Sequence, residues 1–359
     1  VIWLAWRQFR VPALIAAGIL GVLAVVFAIT GPGIAHIYNA TVATCAAHGD
    51  CGSVQANFLG KDRLLQTTSV VVVILPALLG IFWGAPLIAR ELETGTYRLA
   101  LTQSVTRSRW IATKFCLVGL ASMVTAGLFS LMVTWWSSPF DRLRDSPFSS
   151  FDHRDIVPIG YAAFAFALGV VLGVLIRRVL PAMATTLVVF IAVRLAFTNW
   201  IRQRFATPLH LTIPFQAPGP GFNGGQGMPS NPGDWVISEQ TINSSGKVIG
   251  SYGGIGPNGD INFRGAANGA TYFQGVGKCP NKIPSPPPGV RGSNVHLQPS
   301  PAVQHAIQKC VNSFHLRSIA TYQPTSRYWT FQWYELTIFI VMALLLSAFA
   351  WWWIRRRVA

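Results

Sequence analysis

The sequence predicts an all-α polytopic membrane protein: six transmembrane helices, with a small mixed α/β extracytoplasmic domain between helices 5 and 6. Three observations predict it. Only 11% of the 359 residues are charged, against roughly 25% in soluble domains. Mean hydropathy is +0.42. Six mainly apolar runs reach the length of about 20 residues that a bilayer crossing needs, and a long polar insert separates the last two.

The six runs are Ala13–Gly31, Thr68–Ala89, Ile111–Trp136, Ile156–Ile176, Val179–Trp200 and Leu336–Ile354. The first is long enough to remain a span rather than act as a cleaved leader. Pro76, Pro86 and Pro181 fall within or beside spans, where packed bundles tolerate them. The fourth and fifth runs are separated only by Arg177 and Arg178, which predicts a tight helical hairpin. Ahead of the first run, Trp3, Leu4, Trp6 and Phe9 alternate with Arg7 and Arg10. That pattern predicts a short amphipathic helix lying in the membrane interface.

Lys and Arg placement orients the spans. Arg7, Arg10, Arg90, Arg98, Arg107, Arg109, Lys114, Arg177, Arg178, Arg355, Arg356 and Arg357 crowd short segments on one side, against only Glu91 and Glu93. That side is expected to be cytoplasmic, with both termini inside and the long insert outside the inner (plasma) membrane. The net charge of +16 is thereby explained as membrane topology. No basic stripe with interleaved aromatics marks a nucleic-acid partner.

The domain reading is 1–200 for the amphipathic start and spans one to five, 201–332 for the outer domain, and 333–359 for the last span and basic tail. Within the outer domain, Trp235–Gln240 and Lys247–Tyr252 flank Asn243-Ser244-Ser245-Gly246 and predict a β-hairpin. Val303–Leu316 has helical spacing, and Lys282–Ser293 is a Pro-rich connector. Cys45, Cys51, Cys279 and Cys310 all fall on the outer side, an even set that favours disulfides with three possible connectivities. Cys45–Cys51 and Cys279–Cys310 are the simplest pairs, since each shares a loop. A metal reading of Cys45-x-x-His48-x-x-Cys51 is the weaker alternative, and no metal site is expected. Cys116, alone in the third span, is expected to be a packing residue.

The segment with a functional signature follows the second span: Ala89-Arg90-Glu91-Leu92-Glu93-Thr94-Gly95-Thr96, then a short apolar turn, Arg107 and Arg109, and Lys114 on the third span. It resembles the R-E-x-E-x-G-T element of the permeases of type-2 ABC exporters. The ending Thr321-Tyr322-Gln323-Pro324 to Tyr334-Glu335, with its large preceding insert, looks like actinobacterial members of that family. The resemblance implies a non-catalytic permease subunit of an ATP-driven exporter. Segment 90–109 would be its coupling element, and Arg90, Glu91, Glu93, Gly95 and Thr96 would meet the ATPase. No G-x-x-x-x-G-K-[ST] occurs, so ATP and Mg are expected on separate ABC ATPase subunits and no cofactor on this chain. A second copy or close relative of the permease is expected to complete the pathway.

Arg194 is the one ionisable side chain well inside a run. It is read either as part of a substrate path or gate, or as an arginine snorkelling outward beside Trp200. No carboxylate is expected within the spans to pair with it. Gly80-x-x-x-Gly84 and Gly169-x-x-x-Gly173 permit close helix approach, between chains or within one. An ATP-independent transporter, and a membrane sensor or immunity protein whose outer domain binds a ligand, are the alternative functions. The substrate class expected from the apolar spans is amphipathic or hydrophobic: a drug, antibiotic, peptide or lipid.

Overall fold

A computed structural model describes residues 2–48, 74–94, 107–141, 147–214, 233–242, 244–246, 248–252, 270–273, 277–280, 309, 315 and 317–357. They form two compact units, 1–205 with 327–359, and 206–326.

The first unit holds six helices long and apolar enough to cross a membrane: α1 (Ile2–His48), α2 (Ile74–Glu93), α3 (Arg107–Asp141), α4 (Val157–Ile176), α5 (Val179–Ala196) and α6 (Tyr328–Arg357). The expected interfacial helix does not break from the first span: α1 runs unbroken from Ile2 past Pro12 and Pro32. Phe9 explains the continuity, because it is buried against Trp83 with ring centroids 4.8 Å apart, so the amphipathic start packs on the bundle. Further along, α1 leans mainly on α3, where Phe27 stacks on Trp136 and the Trp136 indole donates to Thr30 Oγ1 at 2.9 Å.

At the centre stands α4, buried along almost its whole length. It touches α2 backbone to backbone. A Cβ added at Gly169 would lie 2.4 Å from the Gly80 carbonyl oxygen, and one at Gly84 would lie 2.5 Å from the Phe166 carbonyl oxygen. The two G-x-x-x-G patterns thus face each other within one chain, where small residues let helix backbones meet. Residues Gly80–Gly84 form a π-helical turn before the α-helical end Pro86–Glu93.

The predicted hairpin between α4 and α5 is present. Arg177 takes a left-handed conformation (φ 58°), its N–H closing on the Gly173 carbonyl at 3.1 Å, and Arg178 is extended. Beyond Ala196, α5 continues through a π-helical turn, Phe197–Ile201, into a 3-10 turn, Arg202–Arg204. Phe9, Ile88, Val118, Val174 and Ala350 share one apolar cluster, which brings the arginine-rich helix ends to the same end of the bundle. Cys116, expected to be a packing residue, is exposed on the surface of α3.

The second unit contains a four-stranded antiparallel sheet in the order β1-β6-β2-β3: β1 (Leu209–Pro214), β2 (Trp235–Ile242), β3 (Val248–Tyr252) and β6 (Arg317–Gln323). The predicted hairpin is β2–β3, with Gly246 at φ +80° in its turn. A separate pair joins β4 (Ala270–Phe273) to β5 (Gly277–Pro280). β6 is one of the two inner strands, with Ala320 and Gln323 fully buried. Asp234 accepts from the Thr325 N–H at 2.8 Å, closing the unit where the chain leaves it. The helix expected at Val303–Leu316 and the connector Lys282–Ser293 lie outside the described residues, apart from Lys309 and His315. Cys45 falls within α1 and Cys279 on β5, while Cys51 and Cys310 lie outside the described residues.

Candidate functional site

Two polar constructions occupy opposite ends of the six-helix unit. At the arginine-rich end, Pro86–Glu93 carries the acids of the sequence motif. Arg90 points outward, and Thr94 closes the helix, its hydroxyl donating to the Arg90 carbonyl at 2.8 Å. Glu91 turns inward, while Glu93 stays exposed at the helix end. Glu91 forms an ion pair with Lys114 of α3, which is 5% exposed. Glu93 reaches the hairpin and accepts from the Val179 N–H at 3.0 Å. That contact caps the first turn of α5, where unsatisfied N–H groups and the helix dipole favour a carboxylate. One short helix is therefore braced to α3 and α5 while its backbone packs on α4. Gly95 and Thr96 lie outside the described residues.

At the opposite end, four charged side chains close on one another in the core. Arg194 pairs with Asp152 at 2.9 Å and with Glu335 at 3.2 Å. Arg202 pairs with Asp152 and with Glu335 at 2.8 Å. The Tyr161 hydroxyl donates to Glu335 at 2.5 Å, and the Arg194 guanidinium lies 3.6 Å over the Tyr161 ring. Arg202 covers Phe151 at 4.2 Å. Glu335 is wholly buried. Burial alone would raise the Asp152 carboxyl, but the Arg202 and Arg194 guanidiniums outweigh it and hold that acid well below the ordinary carboxylate range.

The quartet gives Arg194 two carboxylate partners of its own chain and buries it, so it does not snorkel outward as a lone charge. Buried charges persist only when paired and hydrogen-bonded, and two guanidiniums against two carboxylates meet that condition. Sequence reasoning missed Asp152, Tyr161, Arg202 and Glu335. On a regular helix of 3.6 residues per turn, positions eight apart diverge by about 80°. The π-helical turn Phe197–Ile201 adds a residue, so Arg194 and Arg202 stand two turns apart on one face. The available signal was Glu335 itself, a carboxylate amid the aromatic run Tyr328–Tyr334.

The loop before α4 is pinned by the same chemistry. Asp155, at φ 63°, accepts from the Tyr328 hydroxyl at 2.5 Å, its N–H donates to Thr134 Oγ1, and its carbonyl accepts from Ser130 Oγ. Gln332 accepts from the Val157 N–H and donates to the Phe151 carbonyl. Stacked Phe148 and Phe151 meet Tyr328 edge-on. This end binds α3, α4, α5 and α6 together. Among the described residues no group of three or more His, Cys, Asp or Glu is arranged to hold a metal.

A family model described as "ABC-2 membrane transporter related" matches residues 17–202, which span α1 to Arg202 and include both the braced helix and three members of the quartet. The chain belongs to that family. It is an ABC-2 type membrane permease, built on six apolar helices. No curated protein and no solved structure matches the permease.

Proposed function

We propose that this permease is the non-catalytic membrane subunit of an ATP-driven exporter, powered by separate ABC ATPase subunits and completed by a second copy or close relative. Its arginine-rich end is cytoplasmic, and the insert between α5 and α6 lies outside the plasma membrane. The cargo is an amphipathic or hydrophobic molecule. ATP and Mg belong to the partner.

The observation that carries this reading is the braced helix Pro86–Glu93. A docking element must pass force to the spans rather than flex, and this one is tied by Glu91 to α3, by Glu93 to α5 and by glycine contacts through α2 to α4. A push at Arg90–Thr96 then moves these helices as one body, with the quartet holding α4, α5 and α6 together at the far end. Alternating access follows from such bodies rocking between two permease copies. The acids of the quartet are each held by two guanidiniums, an arrangement suited to structure rather than to the proton relay of an ATP-independent transporter.

The test is Glu91→Ala with Glu93→Ala in the reconstituted complex, read by substrate-stimulated ATPase activity and by ATPase pull-down. The expected result is a folded, inserted permease in which stimulation is lost. Wild-type stimulation and binding in the double variant would remove the coupling role.

A further inference from the structure

The outward face of α6 is apolar for most of its length and turns cationic at one end. Steps of three and four residues set Val341, Leu345, Trp352 and Arg355 on one face, and all four are exposed. The opposite face is buried, through Phe339, Ala343 and Ala350. From Leu336 to Ile354 the helix rises about 28 Å at 1.5 Å per residue, close to the roughly 30 Å of a hydrocarbon core. Trp352 therefore falls at the edge of that core, and Arg355 and Arg356 fall in the headgroup layer beyond it.

Arg355 lies over the Trp351 ring at 5.7 Å and Arg356 over the Trp352 ring at 5.2 Å. Trp352 in turn packs beside Phe349 and Trp353, with ring centroids 6.0 and 6.2 Å away, so neighbours hold that platform in place. A guanidinium resting on a ring keeps its in-plane N–H groups for an anion. The stretch Leu336–Ala359 contains no Asp or Glu, and among the described residues neither arginine has an ion-pair partner. Of the acids on the braced helix, Glu91 is taken by Lys114 and Glu93 lies against the α4–α5 turn. A second copy set on this face about a two-fold axis would oppose arginine to arginine, which like charge disfavours. In a chain built on six apolar helices, the molecule that does reach the face is a bilayer lipid.

We infer that the face of α6 from Val341 to Arg356 is a binding site for a phospholipid with a net negative headgroup. An acyl chain lies along Val341 and Leu345, the glycerol region meets Trp352, and Arg355 and Arg356 hold the phosphate, whose oxygens suit guanidinium forks. Ring backing separates this site from general positive charge at the same end: among the described residues no ring lies under Arg177 or Arg178. The inference stands independently of the exporter reading.

The experiment titrates the delipidated full chain in detergent with phosphatidylglycerol or phosphatidylcholine of the same acyl chains, and reads bound lipid by native mass spectrometry. Wild type should bind phosphatidylglycerol about tenfold tighter or more, the scale of two basic residues at an anionic surface. Arg355→Gln with Arg356→Gln should lose that preference. Arg177→Gln with Arg178→Gln removes the same charge and should stay within about threefold of wild type, less than two basic residues in a built site contribute. Trp351→Leu with Trp352→Leu leaves every charge and the topology signal in place, and should weaken phosphatidylglycerol binding about fivefold through the lost ring contacts. A wild-type chain without headgroup preference would overturn the inference. Equal losses in the two arginine pairs, or an unchanged preference in the tryptophan pair, would do the same by reducing the site to diffuse positive charge. So would a Gln pair at 355 and 356 that keeps its phosphatidylglycerol preference but loses a second copy or an ABC ATPase, which would assign the face to protein.

Discussion

Replacing Glu335 with Gln keeps the shape of the side chain and removes one charge from the core. The Glu335 carboxylate accepts from Arg202 Nε at 2.8 Å and Nη2 at 2.9 Å, from Arg194 Nη1 at 3.2 Å and from the Tyr161 hydroxyl at 2.5 Å. The amide offers one acceptor, and its NH2 group confronts guanidinium donors. Two buried arginines then share Asp152 alone, leaving an uncompensated positive charge. Breaking a buried pair in this way typically costs about 3–5 kcal/mol. For a unit of this size that corresponds to a fall of roughly 6–20 °C in unfolding midpoint. Detergent-solubilised chain followed by size-exclusion chromatography after heating measures it, at one fixed heating rate because such unfolding is irreversible. The combination Glu335→Gln with Arg202→Gln restores one arginine against one carboxylate, so its loss should fall short of the summed single losses by about 0.5–3 kcal/mol. A Glu335→Gln chain melting within about 2 °C of wild type, well under the fall expected for a broken buried pair, would refute the reasoning. Strict additivity in the double variant would do the same.

Gly169→Val should abolish folded yield, because its Cβ would sit 2.4 Å from the Gly80 carbonyl oxygen and neither backbone can retreat; Gly18→Val, where nothing lies within 4 Å, is the matched control, and equal yields would contradict the α2–α4 contact. Asp152 titrates below its ordinary value of 3.8 in the folded chain, so its stabilising contribution is complete above about pH 5 and is lost only as the pH falls through the folded value. Asp152→Asn should therefore lower the melting midpoint at pH 7 and narrow its gap to wild type in strong acid; a pH-independent gap would separate Asp152 from the quartet. Non-reducing peptide mapping should recover Cys45–Cys51 and Cys279–Cys310, and free thiols or a bound zinc at those positions would overturn the pairing.

Much of the fold was legible in one dimension. Six spans are each a local excess of apolar residues over a fixed length, and their ends are marked by charged and aromatic residues beside them. The α4–α5 hairpin followed from a gap of only Arg177 and Arg178, and the β2–β3 hairpin from turn residues between two alternating runs. The G-x-x-x-G patterns announced close approach but not the partner, because a small residue permits contact without specifying what makes it.

The tertiary structure decided which charges meet. Arg194 read as solitary because its partners are 42 residues before it, at Asp152, and 141 after it, at Glu335, and because a π-helical turn shifts Arg202 onto its face. Glu91 and Glu93 read only as residues to meet the ATPase, because Lys114 and the Val179 N–H reach them through space rather than along the chain. Hydropathy and net charge are sums over neighbours in sequence, so they set how many helices there are and where the arginines gather. Ion pairing in a low-dielectric core depends on distances of about 3 Å between helices, which only their packing determines.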